Sequence, residues 1–161
     1  VTGVQTCALP IYSIMLRSSK CRCTDVTMSG FDTPGNRSNN GSGIDLSDGS
    51  ECNLKKCVIT VNGGTRGLPL KLDQFCKCLS DNCTYNSEQN GIEVGTGRHL
   101  ISVKDTFTTS NFDIKFINNG IANVDNPTWT PGGTQANISP SVSGSIMSND
   151  ADTLGAMLLI T

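Results

Sequence analysis

Charge, aromatic rings and histidine are all scarce in this chain. Of 161 residues, 16% are charged and 5% aromatic, and there is one histidine, His99. A single imidazole removes His-rich metal sites and most histidine-based acid–base schemes. No apolar run approaches the roughly 18 residues that would read as a transmembrane helix. A net charge of -2 argues against a basic face for nucleic acid. P-loop, dinucleotide-binding and zincin motifs are missing, and Ser145, in Ser143-Gly144-Ser145-Ile146-Met147, lacks the flanking glycines of a nucleophile elbow. His99 lies between Arg98 and Leu100 in an apparent strand. As a general base it would want an acid such as Asp105 nearby, and the alternative is a packing histidine. No enzyme, no nucleic-acid partner and no membrane insertion are therefore expected.

Small polar residues are plentiful: Asn, Ser and Thr number 15, 17 and 17. Gly30 to Ser50 reads as a long loop or as short strands with many turns. Strand signals follow. Cys57, Ile59 and Val61 alternate with Val58 and Thr60, and Leu68, Leu70 and Leu72 share a face. Pro69 predicts that the second of these is an edge strand or a strand start, because proline cannot donate to a ladder. In Asn111–Asn118, Phe112, Ile114 and Phe116 face one way, with Asp113 and Lys115 opposite. Leu100–Asp105, Ile121–Val124, Val142–Met147 and Leu154–Ile160 complete the set. No window shows a 3.6-residue period. The expectation is an all-β, sandwich-like domain, immunoglobulin-like or jelly-roll-like, with a Cys-rich and loop-rich N-terminal half. Gly63, Arg66, Leu68, Asp73 and Phe75 recur 32 residues later as Gly95, Arg98, Leu100, Asp105 and Phe107, an echo a duplicated hairpin would produce; no solenoid array is expected.

Seven cysteines lie in the first half of the body: Cys21, Cys23, Cys52, Cys57, Cys76, Cys78 and Cys83. One reading is disulfides in an oxidising compartment, supporting a thin core. Seven is odd, so one thiol is left over. Cys57 with the Cys76/Cys78 pair is an attractive combination, but the connectivity stays open. A second reading is a thiolate metal site, which the spacings of one and four residues fit poorly. A third is reduced core cysteines. Four N-x-S/T sequons, at Asn36, Asn40, Asn82 and Asn137, fit a secretory route.

Two candidate sites emerge. Asp45, Asp48 and Glu51, spaced by three, could present carboxylates to a calcium ion, the alternative being a solvated acidic loop. Trp129, the only tryptophan, lies near Asn123 and Asp125 in a polar stretch. An aromatic face beside planar hydrogen-bonding groups suits a sugar, whereas a core-plugging Trp is the plainer reading.

Three resemblances add to this. Val1–Ile11 (VTGVQTCALPI) back-translates to DNA that resembles a short-read sequencing adapter, so the segment, with Cys7, reads as non-native. Residues 12–161 then read as a single β domain cut short at its N-terminus, with apolar Leu154–Ile160 marking a C-terminus also cut short. Phe112 to Val124, a strand, an Asn-Gly turn and a second strand, resembles immunoglobulin-like repeats of bacterial surface and secreted proteins. That resemblance implies a β-sandwich. Gly43-Ile44-Asp45-Leu46 and Ile117 to Asp125 resemble stretches of cyanovirin-type lectins. Together these readings predict a secreted or surface-displayed, non-catalytic binding or structural module, meeting a protein or glycan surface outside the cell. The alternatives are a lectin-like domain using Trp129 and a virion or fibre surface protein.

Overall fold

The computed structural model describes residues 14–29, 42–62, 68–95, 97–117 and 120–130, together with the backbone of 134–137 and 145–148. The chain winds as a β-solenoid. The first coil is β1 (Ile14–Arg17), β2 (Lys20–Thr24) and β3 (Thr27–Ser29). The second is β4 (Ser42–Ser47), β5 (Glu51–Lys55) and β6 (Val58–Val61), and the third β7 (Leu68–Leu72), β8 (Lys77–Asp81) and β9 (Thr84–Ser87). The fourth is β10 (Ile92–Val94), β11 (His99–Val103) and β12 (Thr106–Thr109). After these four complete coils come β13 (Phe112–Phe116) and β14 (Ile121–Asp125), with Thr128 bridging to Thr106 as the third side, then β15 (Thr134–Asn137) and β16 (Ser145–Ser148).

The first strands of successive coils pair in parallel as sheet A (β1-β4-β7-β10-β13-β15). The second strands form sheet B (β2-β5-β8-β11-β14-β16), and the third form sheet C (β3-β6-β9-β12). Every strand pair is parallel and in register, so each side chain stacks on its counterpart one coil away. Leu70, Ile92 and Ile114 follow at 22-residue intervals, whereas Ile44 precedes Leu70 by 26 and Ile14 precedes Ile44 by 30.

Period-2 alternation inside each strand turns one row inward. Ile44, Leu46, Leu70, Leu72, Ile92, Val94, Ile114 and Phe116 form sheet A's buried face. Within sheet C, Ile59, Tyr85 and Phe107 are fully buried, and the rings stack: Tyr85 to Phe107 at 5.6 Å, Phe107 to Trp129 at 5.3 Å. The tyrosine hydroxyl meets Ser80 Oγ at 2.7 Å, so its polar end is paired inside the coil.

Between sheets B and C the chain bends through a left-handed residue in every coil: Asp25, Lys56, Asn82, Lys104 and Asn126, with φ between 50° and 55°. Only a sharp backbone turn keeps the next strand in plane with the coil below, and after glycine Asn and Asp accept this region most readily. The bends are joined vertically: the Lys56, Asn82 and Lys104 amides donate to the Asp81, Val103 and Asp125 carbonyls at 2.8–2.9 Å. Just inside the bend sit Cys57, Cys83 and Asp105. The Cys57 amide donates to Cys83 Sγ at 3.4 Å, and the Cys83 amide to Asp105 Oδ1 at 2.7 Å.

Several expectations are corrected. The fold is a parallel solenoid, not a sandwich of immunoglobulin-like or jelly-roll-like type. The Phe112–Val124 segment is not an antiparallel hairpin: β13 belongs to sheet A and β14 to sheet B. The 32-residue echo does not follow the true register, which aligns Leu100 with Cys78 and Phe107 with Tyr85. Strand β7 is central in sheet A, and Pro69 is tolerated near its start. Asp113, expected outside, is fully buried because Thr109 and Thr130 close over its carboxylate with hydrogen bonds of 2.6–3.0 Å.

The disulfide expectation is also corrected: all seven cysteines are free thiols. Cys21, Cys52 and Cys78 stack in one column of sheet B. Cys21 Sγ and Cys52 Sγ lie 2.8 Å apart, in contact but beyond the roughly 2.05 Å of a disulfide bond. Cys57 stacks beside Cys83, not beside the Cys76/Cys78 pair. These residues act as small apolar side chains filling the coil. Leu154–Ile160, and Val1–Ile11 with Cys7, lie outside the described residues.

Candidate functional site

The residues singled out from the sequence do not converge. Asp45 points out of sheet A opposite Lys71, Asp48 occupies the exposed corner with φ 55°, and Glu51 points out of sheet B in a 2.7 Å ion pair with Lys20. One corner thus separates the three carboxylates onto different sides, and among the described residues no group of His, Cys, Asp or Glu is arranged to hold a metal ion. Trp129 packs under Phe107 against the core, while Asn123 and Asp125 face outward on sheet B. The wall of the coil lies between the ring and those two side chains, so they share no surface. His99 faces outward in register with Lys77 and Ile121, away from buried Asp105. Of the sequons, Asn82 is exposed at the corner between sheets B and C; Asn36 and Asn40 lie outside the described residues, as does the Asn137 side chain.

Two features of the outer surface stand out instead. The first is the outer face of sheet C. Thr27, Val58, Thr84, Thr106 and Thr128 form one vertical row, and Ser29, Thr60, Asn86 and Thr108 form the next. Rows stand about 6.6 Å apart along the strands and rungs about 4.8 Å apart between them. Asn86 Nδ2 donates to Thr60 Oγ1 at 3.0 Å, a bond running along the row. Among the described residues this face carries no charge. The others do: Asp45, Lys71, Glu93 and Lys115 alternate in sign down sheet A, and Lys20, Glu51 and Lys77 down sheet B. The signal was present in the sequence as Thr84, Thr106 and Thr128 at 22-residue intervals, but it carries meaning only once the coil length is known.

The second feature is a cleft of about 480 Å³ at the corner between sheets A and B, floored by Leu72 and Ile117. Phe75, Gln74, Asp73, Glu93 and Arg98 surround it. Arg98 is buried, and its Nη2 donates to Asp73 Oδ1 at 2.9 Å; the other Asp73 oxygen takes Lys71 Nζ at 2.9 Å. Gly95 makes this possible, since a Cβ there would collide with the guanidinium. Burial pushes the Glu93 carboxyl above its ordinary range, against the pull of Lys115, whose Nζ lies 3.7 Å away, and of Lys71. Phe75 and Arg98 were visible in the sequence only as members of the 32-residue echo.

Comparison with protein families, curated proteins and solved structures finds no match.

Proposed function

We propose that this chain is a non-catalytic binding module that lays the outer face of sheet C on a neutral, repetitive polysaccharide surface outside the cell. One observation carries the reading: of the three outer faces, sheet C alone is free of charge among the described residues, and it presents two straight rows that are mostly hydroxyls, interrupted by Val58 in one and Asn86 in the other. A hydroxylated polymer offers donors and acceptors without net charge, and a flat rigid array meets it with little ordering of side chains, because β-branched threonine has few rotamers to lose. Charged side chains would have to shed water to approach such a surface, and they lie on the other two faces.

The test is co-sedimentation with crystalline cellulose and with chitin. Wild type is expected to leave the supernatant with at least one of them. The Thr84→Glu/Thr106→Glu double variant, altered at two outward positions at the centre of the face, is expected to remain soluble while keeping its far-ultraviolet spectrum. Failure of both polymers to deplete the wild type, or equal depletion of the variant, overturns the proposal.

A further inference from the structure

The cleft between the β7–β8 and β10–β11 corners stands apart from sheet C, and its argument is independent of that face. It begins at Phe75, which at 72% is the most exposed large apolar side chain among the described residues. Its backbone sits in the left-handed region at φ 58°, where a bulky residue is an outlier. The ring rests over Gly97, itself at φ 65°. Both belong to the bend between sheets A and B, where Ser18 and Asp48 are left-handed as well, so the coil requires the backbone conformation and the exposed ring at that bend is the feature that packing does not explain.

The polar groups around the ring indicate which ligand. Arg98 is 5% exposed, yet its Nε has no partner among the described residues. Gln74 contributes an exposed amide, and Asp73 and Glu93 contribute carboxylates. Charge is balanced locally: Asp45, Asp73 and Glu93 face Lys71, Lys115 and Arg98. Neither an anion nor a cation is favoured by such a surface. An aromatic platform, a guanidinium, an amide and carboxylates together are the groups that a ring bearing several hydroxyls engages, stacking its C–H face on the aromatic and sharing its hydroxyls among planar donors and acceptors. The volume falls within the usual range for small-molecule sites, about 300–1,000 Å³.

We propose that this cleft is a binding site for a single neutral sugar unit, with Phe75 as the stacking platform and Arg98, Asp73, Glu93 and Gln74 as hydroxyl partners. The site acts on soluble saccharide as well as on polymer, which separates it from the sheet C face in both ligand and location.

The experiment is a nitrogen-15 NMR titration of the full chain with methyl glucoside, methyl galactoside and methyl mannoside. At least one is expected to shift the amides of residues 73–75, 95, 97 and 98 in a saturable way. Phe75→Gly places at φ 58° the residue that position prefers, so the fold is retained while the platform is lost. It is expected to weaken binding about tenfold or more. Gln74→Ala, at an exposed position, gives a second loss, and Thr84→Glu/Thr106→Glu binds like wild type. The proposal is overturned if none of the three glycosides moves those amides, or if Phe75→Gly binds as wild type does.

Discussion

Asp105 shows what a single carboxyl does when enclosed in a coil. It is fully buried, accepts the Cys83 amide at 2.7 Å and takes the Ser102 hydroxyl at 2.6 Å. Burial outweighs these two bonds and raises its pKa to about 6. An unfolded Asp titrates near 3.9. The folded state therefore holds the proton more tightly, and this group's contribution to stability is full below about pH 4 and lost as pH rises through 6. The shift corresponds to roughly 2–3 kcal/mol. Asp105→Asn keeps an oxygen for the Cys83 amide and removes the titration. Urea unfolding between pH 4 and 7 should show wild-type stability declining towards neutrality in that window and the variant declining much less. A variant with the same slope as wild type would place the pH dependence elsewhere. Cys83 occupies the equivalent place one coil earlier, its sulfur taking the Cys57 amide. A cysteine and an aspartate thus perform one backbone task, and a sequence reading that groups residues by chemistry, as disulfide candidates or as acids, does not see it.

At the scale of the elements, the stacked bends between sheets B and C decide the coil. Asn82, Asn126 and Asp25 suit a left-handed backbone; Lys56 and Lys104 do not, and both are exposed. A non-glycine residue without a short polar side chain is disfavoured there by about 1 kcal/mol. Lys104→Asn should therefore raise stability by a sizeable fraction of that, read as a higher urea midpoint at unchanged slope; an unchanged or lower midpoint would show that the lysine contributes more than its backbone strain. The strands themselves were largely legible. Val58–Val61, Leu68–Leu72 and Phe112–Phe116 fall where alternation put them. How they pair was not, because a period of two is the same for parallel and antiparallel neighbours and for a sandwich and a solenoid. Inward residues stacked in one column differ in type, as in Cys52, Cys78, Leu100 and Ala122, so the column has no sequence signature of its own. The candidate surfaces were hidden for the same reason: the threonine rows and the Phe75–Arg98 cleft are assembled from residues of different coils.

Across the whole molecule, stability is nearly a sum over neighbouring coils, because each coil touches chiefly the one before and the one after. In the first coil Ile14, Leu16, Cys21, Cys23 and Met28 are only partly buried, whereas Ile44, Leu46, Cys52, Leu54 and Ile59 in the second are buried to within 2% of full enclosure. Amide hydrogen exchange should accordingly be slowest in β7 to β12 and fastest in β1 to β3. Uniform protection across all coils would instead reveal an all-or-none unit. The irregular coil length has its own consequence. Leu70, Ile92 and Ile114 keep a 22-residue interval, and the longer coils gain their extra residues between β3 and β4 and between β6 and β7, both on the passage from sheet C to sheet A. Residues added at that seam leave every rung in register. A foreign peptide grafted there would be carried without altering the wall, and two grafts on adjacent coils would emerge about 4.8 Å apart, the strand spacing itself. The seam is thus a ready attachment line for displaying paired epitopes at a fixed molecular pitch.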